Sequence, residues 1–188
     1  MESGLPDDVL SDEPVMPVVP IKPNKTIPLM IGICLIIGGL LIGLSSVSNF
    51  MTQPMDNQQA GEIADGLNAQ GSNLSAEDIT GFFDDLEEAN YFTILGVIEL
   101  IASITLLIAG ILMVMKNPQS IKIGFAGAGL VIFDAGVSLF ILNSIESPDP
   151  LLSMSMNLAA GFWLACGLFC LGLPAIPLLV KSGRAALN

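Results

Sequence analysis

The stretch YFTILGVIELIASITLLIAGILMVM, residues 91–115, is followed by a short basic turn, KNPQS, residues 116–120, and by a second apolar run, IKIGFAGAGLVIFDAGVSLFILN, residues 121–143. Each run reaches the length of about 20 residues that a helix needs to cross the hydrocarbon core of a bilayer. The pattern predicts a transmembrane hairpin. Each of its two helices contains one carboxylate.

The composition extends this interpretation to the whole chain. Its 188 residues are 52% hydrophobic and only 13% charged, which is typical of membrane proteins. Two further apolar runs, residues 26–48 and 157–180, bring the number of predicted spans to four. We therefore expect an all-α fold, an integral membrane four-helix (tetraspan) bundle whose surroundings are the lipid bilayer.

The segments between the spans are polar. Residues 1–25 are predicted to be a disordered, acidic and proline-rich tail, and residues 181–188 a short second tail. Residues 49–90 form an acidic loop with nine acids and no base, and residues 144–156 form a shorter acidic loop.

The basic residues predict the orientation. All six flank apolar runs: Lys22, Lys25, Lys116, Lys122, Lys181 and Arg184. Basic residues are enriched on the cytoplasmic side of membrane proteins, and four spans place all six there only if both termini are cytoplasmic. We expect a multi-pass protein of the cell membrane, with loops 49–90 and 144–156 external.

One segment of the longer loop has a helical pattern. Ser75 and Asp78 have the spacing of a capping box, and apolar side chains then recur on one helical face. The residues of that face are Ile79, Phe82, Phe83 and Leu86. The pattern predicts a short amphipathic external helix at about residues 76–89, before the second span, whose apolar face packs on the end of the bundle.

Small residues in the spans mark predicted helix contacts. Gly32, Gly39 and Gly43 share a face of the first span, and the last two form a GxxxG pair. In lipid, such residues let helix backbones approach closely. The other predicted packing glycines are Gly96, Gly127 and Gly161. The pattern leaves open whether the contacts lie within this chain, in a homo-oligomer or with another membrane protein.

The N-terminal tail has a proline at every third position: Pro14, Pro17, Pro20 and Pro23. This period matches the three-residue turn of polyproline II. The prolines are candidates for docking a partner domain with an aromatic groove. The alternative interpretation is a stiff spacer.

Several classes of function are excluded or disfavoured. A net charge of −12 without a Lys or Arg cluster argues against nucleic-acid binding. The chain contains no His, which is the commonest neutral-pH acid/base catalyst and a common metal ligand. No metal-ligand spacing or nucleotide fingerprint occurs, so we expect no metal, no cofactor and no enzymatic activity.

Glu99 and Asp134 are the candidate ion- or proton-binding residues. They lie at comparable depth in antiparallel neighbouring spans, on faces of small and polar residues, and the interiors of the spans contain no Lys, Arg or His. Charged groups at that depth are costly and mark functional hypotheses. Without a cationic partner, the acids can both be protonated, share a proton or bind a cation.

Three functions follow from these states. The first is a non-catalytic structural or partner-binding role, in which the acids fix helix packing. The second is a small oligomeric transporter or ion-coupling subunit, in which they carry a proton or cation. The third is an intramembrane enzyme with the acids as a catalytic pair. We favour the first and keep the second as the alternative, because nothing else in the chain supplies catalytic chemistry.

Overall fold

The structure is a computed structural model that describes residues 22–52 and 54–187, and within these ranges it contains seven helices and no strand. The predicted all-helical fold is confirmed. The candidate docking residues Pro14, Pro17 and Pro20 lie outside the described residues. The helices are α1 (Thr26–Met51), α2 (Asn57–Asn68), α3 (Ala76–Glu88), α4 (Tyr91–Val114), α5 (Gln119–Ser144), α6 (Pro150–Leu179) and α7 (Lys181–Arg184).

Four of the helices, α1, α4, α5 and α6, are long and apolar enough to cross a membrane. Their most apolar stretches have mean hydropathies of 2.6, 2.6, 2.1 and 2.0. Large apolar side chains such as Leu44, Phe140 and Leu158 point outward and are at least 65% exposed. In water this surface would be unfavourable, whereas in a bilayer it faces acyl chains.

The four long helices form an open ring. α1 packs along α4, α4 along α5, and α5 along α6, while α1 and α6 touch only sparsely. The Asn24 backbone N–H donates to the Ser182 carbonyl oxygen at 3.0 Å, which joins the start of α1 to the segment after α6. The ring therefore has one weakly packed seam, between α1 and α6.

The described lysines lie at one end of this ring, which we call the basic end. Its residues are Lys22, Lys25, Lys116, Lys122 and Lys181. Lys116 ends α4 with a positive φ of 60°, and the Asn117 N–H donates to the Leu112 carbonyl oxygen at 2.8 Å, as in a Schellman motif. The acidic helices α2 and α3 lie at the opposite end, which we call the acidic end.

The α1–α4 contact is built on small residues. A Cβ added to Gly32 would lie 2.8 Å from the Gly110 carbonyl oxygen, and one on Gly110 would lie 2.8 Å from the Gly32 carbonyl oxygen. Further along, the Ser103 hydroxyl donates to the Gly39 carbonyl oxygen and the Ser46 hydroxyl to the Gly96 carbonyl oxygen, each at 2.8 Å. The two backbones meet closely enough for serines to bridge them.

Four more of the predicted packing glycines lie in tight contacts. A Cβ added at Gly39 would lie 3.0 Å from Leu107, and one at Gly43 would lie 2.8 Å from Ser103. A Cβ at Gly96 would lie 3.1 Å from Phe50, and one at Gly127 would lie 2.9 Å from Leu106. Gly161 differs. Apart from its chain neighbours and the nearby backbone of α6, no heavy atom of the described residues lies within 4 Å of a Cβ built there.

The amphipathic helix predicted at residues 76–89 is present as α3. Its capping box is formed, with the Asp78 N–H donating to the Ser75 hydroxyl oxygen and the Ser75 N–H donating to the Asp78 carboxylate. Its apolar face packs on the end of the bundle. There it joins a buried hydrophobic cluster, which includes Ile79, Phe82 and Leu86 of α3, Tyr91 and Leu95 of α4, Leu142 of α5 and Leu152 of α6.

An unpredicted helix, α2, precedes α3. It begins after Asp56, whose carboxylate accepts the Gln59 N–H at 2.8 Å, and it packs against α3 through Ala60 and Ala64. Gly61 and Gly66 lower its helix propensity, and its buried face is mainly alanine, so no strong apolar period is visible. Asp56 followed three residues later by Gln59 was the sequence pattern that could have predicted the start of this helix.

The fourth long helix is also longer than predicted. α6 begins at Pro150, whereas the predicted span began at Asn157, because the Asp149 carboxylate caps the Leu151 N–H at 2.7 Å and proline suits the first turn. α6 contains Pro174 and Pro177 near its end and continues past both to Leu179. α1 likewise extends to Met51, three residues past its predicted end.

Candidate functional site

Glu99 is buried between α4 and α1. Its side chain is 3% exposed, and both carboxylate oxygens accept hydrogen bonds from α1. The Ser45 hydroxyl donates to Oε1 at 3.1 Å, and the Asn49 side-chain amide donates to Oε2 at 2.9 Å. Ser45 and Asn49 are one turn apart, so one face of α1 holds both oxygens.

Asp134 is equally buried, at 3% exposure on α5, but its environment differs. Its Oδ1 atom is fully buried, and no hydrogen-bond donor among the described residues reaches it. Buried polar atoms are almost always hydrogen-bonded, and leaving one unsatisfied costs roughly 1–3 kcal/mol. Asp134 is therefore not explained by packing alone.

The structure brings the two acids to the same cavity, which is too narrow for a water molecule. Its walls are Glu99 and Ala102 of α4, Val131 and Asp134 of α5, Ile42 of α1 and Trp163 of α6. All four long helices contribute a side chain. The acids thus lie within the bundle, as their small-residue faces predict, and not against lipid.

A buried hydroxyl pair lies one turn from Asp134. The Tyr91 hydroxyl and the Ser138 hydroxyl are 2.8 Å apart and join α4 to α5. One hydroxyl donates to the other, and neither hydroxyl hydrogen-bonds to the Oδ1 atom of Asp134. This pair was not among the predicted site residues, and neither were Ser45, Asn49 and Trp163.

The arrangement has limited chemical possibilities. Within the part of the chain that the structure describes, no group of three or more His, Cys, Asp or Glu residues could hold a metal ion. Two carboxyl groups at one cavity repel each other when both are charged, so they favour a shared proton or a bound cation. Because the cavity is too narrow for a water molecule, it can accommodate a proton but not a hydrated cation.

A second cavity lies at the seam between α1 and α6 and opens toward the lipid-facing surface. We call it the seam cleft, and its volume is about 510 Å³. Its lining is apolar or thiol-bearing and contains no charged residue. The lining residues are Cys34, Ile37, Gly38, Leu41 and Ile42 of α1, with Trp163, Ala165, Cys166, Phe169, Cys170 and Leu173 of α6.

Pro23 is exposed beside the basic end, and it is the only one of the four candidate docking prolines among the described residues. It lies three residues before α1 begins. The docking of a partner by the proline segment stays a prediction.

The fold defines a class: four long apolar helices in a bundle with buried acids make this a multi-pass helical membrane protein. Comparisons with protein-family models, with curated proteins and with solved structures find no match. The role of the protein is therefore inferred from its own residues.

Proposed function

We propose that this protein is a non-catalytic membrane component with a structural or partner-binding role. In this proposal it resides in the cell membrane with both termini in the cytoplasm and with α2 and α3 outside. The orientation is supported by the described lysines, which lie at the basic end, and by the acids of α2 and α3 at the other end. The partner is a second copy or another membrane protein.

One observation carries the structural role: both oxygens of Glu99 are held by α1. An acid that accepts hydrogen bonds from Ser45 and Asn49 joins two helices, and each of its oxygens already has a donor. The same two helices are already in close contact at Gly32 and Gly110. Glu99 therefore fixes the rotation and depth of α1 against α4.

A double-mutant cycle tests this role. We expect Asn49→Ala and Glu99→Ala to be coupled by roughly 0.5–1.7 kcal/mol, the range measured for side-chain hydrogen bonds between membrane helices. The measurement is the free energy of reversible unfolding in mixed micelles, for the wild type, the two single variants and the double variant.

A matched control uses Asn143→Ala with Glu99→Ala. Asn143 is exposed on α5, and its amide donates to the Leu139 carbonyl oxygen of its own helix. The effects of these two substitutions on the free energy of unfolding are expected to be additive. A coupling between Asn49 and Glu99 no larger than in the control contradicts the proposed structural role of Glu99.

A second candidate function is favoured by a different observation, the unpartnered Oδ1 of Asp134 at a cavity shared with Glu99. In this function the protein is a small oligomeric transporter or ion-coupling subunit, and the two acids carry a proton or cation. Asp134 is the group that exchanges the ion, because Glu99 is engaged by α1.

Proteoliposomes distinguish the two functions. Wild type, Asp134→Asn and the surface control Asp85→Asn are assayed for proton, Na⁺ and K⁺ flux against empty vesicles. Flux that is present in the wild type and the control but lost in folded Asp134→Asn supports the ion-coupling function. Wild-type flux no greater than that of empty vesicles rules out carriage of these ions.

A further inference from the structure

The seam cleft and the acid cavity are neighbours, and two side chains separate them. Ile42 of α1 and Trp163 of α6 line both spaces. The apolar cleft opens toward lipid, and the narrow cavity behind it contains the two carboxyl groups. The two spaces can join only if at least one of these two side chains moves.

The two spaces have complementary chemistry. The cleft is lined without a charged residue, whereas the cavity exposes an unpartnered carboxylate oxygen of a residue that is 97% buried. A neutral acyl chain in the cleft would leave Asp134 unpartnered. An anion would be repelled by Glu99 and Asp134. A molecule with an apolar body and a positive charge satisfies both spaces and also neutralises the two acids.

We propose that the seam cleft and the acid cavity form one binding site for a lipophilic cation that enters from the bilayer. The apolar body occupies the cleft between α1 and α6, and the positive charge lies near Asp134 behind Trp163. The Trp163 ring contributes a π face beside the path of the charge. This inference rests on the second candidate function, because it requires Asp134 to be a binding group.

The test uses tetraphenylphosphonium, a lipophilic cation, and tetraphenylborate, an anion of the same shape. The full chain is reconstituted in nanodiscs of uncharged phosphatidylcholine, and binding of radiolabelled tetraphenylphosphonium is measured by scintillation proximity. Trp163 is the only tryptophan in the chain, so its fluorescence reports the same site independently. We expect saturable cation binding, a matching change in Trp163 emission, and no competition by tetraphenylborate.

Two pairs of variants locate the site. Asp134→Asn is expected to weaken tetraphenylphosphonium binding about tenfold or more, because a buried charge loses its partner, while the exposed control Asp85→Asn leaves binding unchanged. Gly38→Leu fills the cleft and is expected to abolish binding. Its control, Gly129→Leu, places the same side chain on an exposed position of α5 with no neighbour within 4 Å.

Three results overturn the inference. If the wild type shows no saturable binding of tetraphenylphosphonium, the proposed site does not exist. Equal binding of the cation and the anion, unaffected by Asp134→Asn in folded protein, shows an apolar site for neutral chains. Cross-linking of wild type through Cys34, which lines the cleft, into a dimer that excludes the cation shows that a second copy fills the seam.

The inference and the second candidate function fail separately. If inorganic ions are transported but tetraphenylphosphonium does not bind, the lipophilic-cation site is wrong and the carrier role of Asp134 is still supported. If Asp134→Asn changes neither flux nor binding, both are wrong. Binding without inorganic flux supports the inference and identifies the ligand class that Asp134 serves.

Discussion

Glu99 and Asp134 are buried to the same extent, and at the residue scale their hydrogen bonding is the basis for the different roles proposed for them. Glu99 is held by Ser45 and Asn49, while the Oδ1 atom of Asp134 has no donor among the described residues. A structural acid stabilises the fold, whereas an unpartnered binding group costs stability in the empty protein. Functional sites commonly have this cost.

Leucine substitutions at these two positions are expected to have opposite effects. Asp134→Leu should raise the free energy of unfolding by about 1–3 kcal/mol, because it removes an unsatisfied buried group. Glu99→Leu should lower it by a similar amount, because Ser45 and Asn49 lose their acceptor. Reversible unfolding in mixed micelles measures both. Destabilisation by Asp134→Leu equal to that by Glu99→Leu contradicts the difference in roles.

Outside the spans, the capping box of α3 makes a prediction about pH. The Ser75 hydroxyl and backbone N–H donate to the Asp78 carboxylate at 2.6 and 2.8 Å, and they lower the pKa of Asp78 from its ordinary value of 3.8. A lowered folded-state pKa means that this contribution to stability is present above pH 3.8. It is lost as the pH falls through the lowered pKa.

Ser75→Ala removes the hydroxyl donor, so the pKa of Asp78 is expected to rise toward 3.8. Carboxyl NMR titration of the full chain in micelles measures this shift. Ser75→Thr is the matched control, because threonine keeps the hydroxyl and caps helices well. An unchanged Asp78 pKa in Ser75→Ala would show that the side-chain hydrogen bond is not formed in solution.

The acids themselves could be predicted from the sequence, but the partners of Glu99 could not. Carboxylates inside apolar runs stand out in any hydropathy pattern, and their small-residue faces indicate the bundle interior. Ser45 and Asn49 meet Glu99 only because α1 has one particular rotation and depth against α4. That geometry depends on non-local contacts such as Gly32 with Gly110, which no local pattern encodes.

At the scale of the elements, the α1–α4 pair is the best-defined contact of the bundle. Gly32 and Gly110 face each other at the basic end, and serine hydroxyls bridge the backbones further along. Without a hydrophobic drive between helices in lipid, this close packing supplies the association energy. Gly110 was not among the predicted packing residues, although its partner Gly32 was.

Gly110→Ala tests this contact. An added Cβ would lie 2.7 Å from Ile36 Cγ1 and 2.8 Å from the Gly32 carbonyl oxygen, so we expect a loss of about 1–3 kcal/mol in unfolding free energy. Gly129→Ala has nothing within 4 Å and should be neutral or stabilising by up to about 1 kcal/mol. Equal effects of the two alanines in a micelle unfolding assay would contradict the close contact.

The elements that the sequence predicted well are those with a strong local pattern. They are the four apolar runs and the amphipathic α3, and all five helices are found. α2 and the first turns of α6 were missed because their own patterns are weak and they are positioned by contacts at the acidic end. The Ser72 hydroxyl, between α2 and α3, donates to the Asp149 cap of α6 at 2.9 Å, a contact between residues 77 positions apart.

At the scale of the whole molecule, the chain is polarised from end to end. The described lysines lie at the basic end, and most of the described acids lie in α2 and α3 at the acidic end. The bundle between them is a ring with one weak seam, and the buried acids lie behind that seam. This arrangement underlies the proposed orientation and the proposed route of a ligand from lipid.

Cysteine accessibility measures the proposed arrangement most directly. A membrane-impermeant maleimide is applied to intact bacterial cells expressing Asn24→Cys, Ser182→Cys or Gln70→Cys, and again after permeabilisation. The four-span bundle with cytoplasmic ends predicts labelling of Gln70→Cys in intact cells, with Asn24→Cys and Ser182→Cys labelled only after permeabilisation. Labelling of Asn24→Cys and Ser182→Cys from opposite sides of the membrane would contradict it.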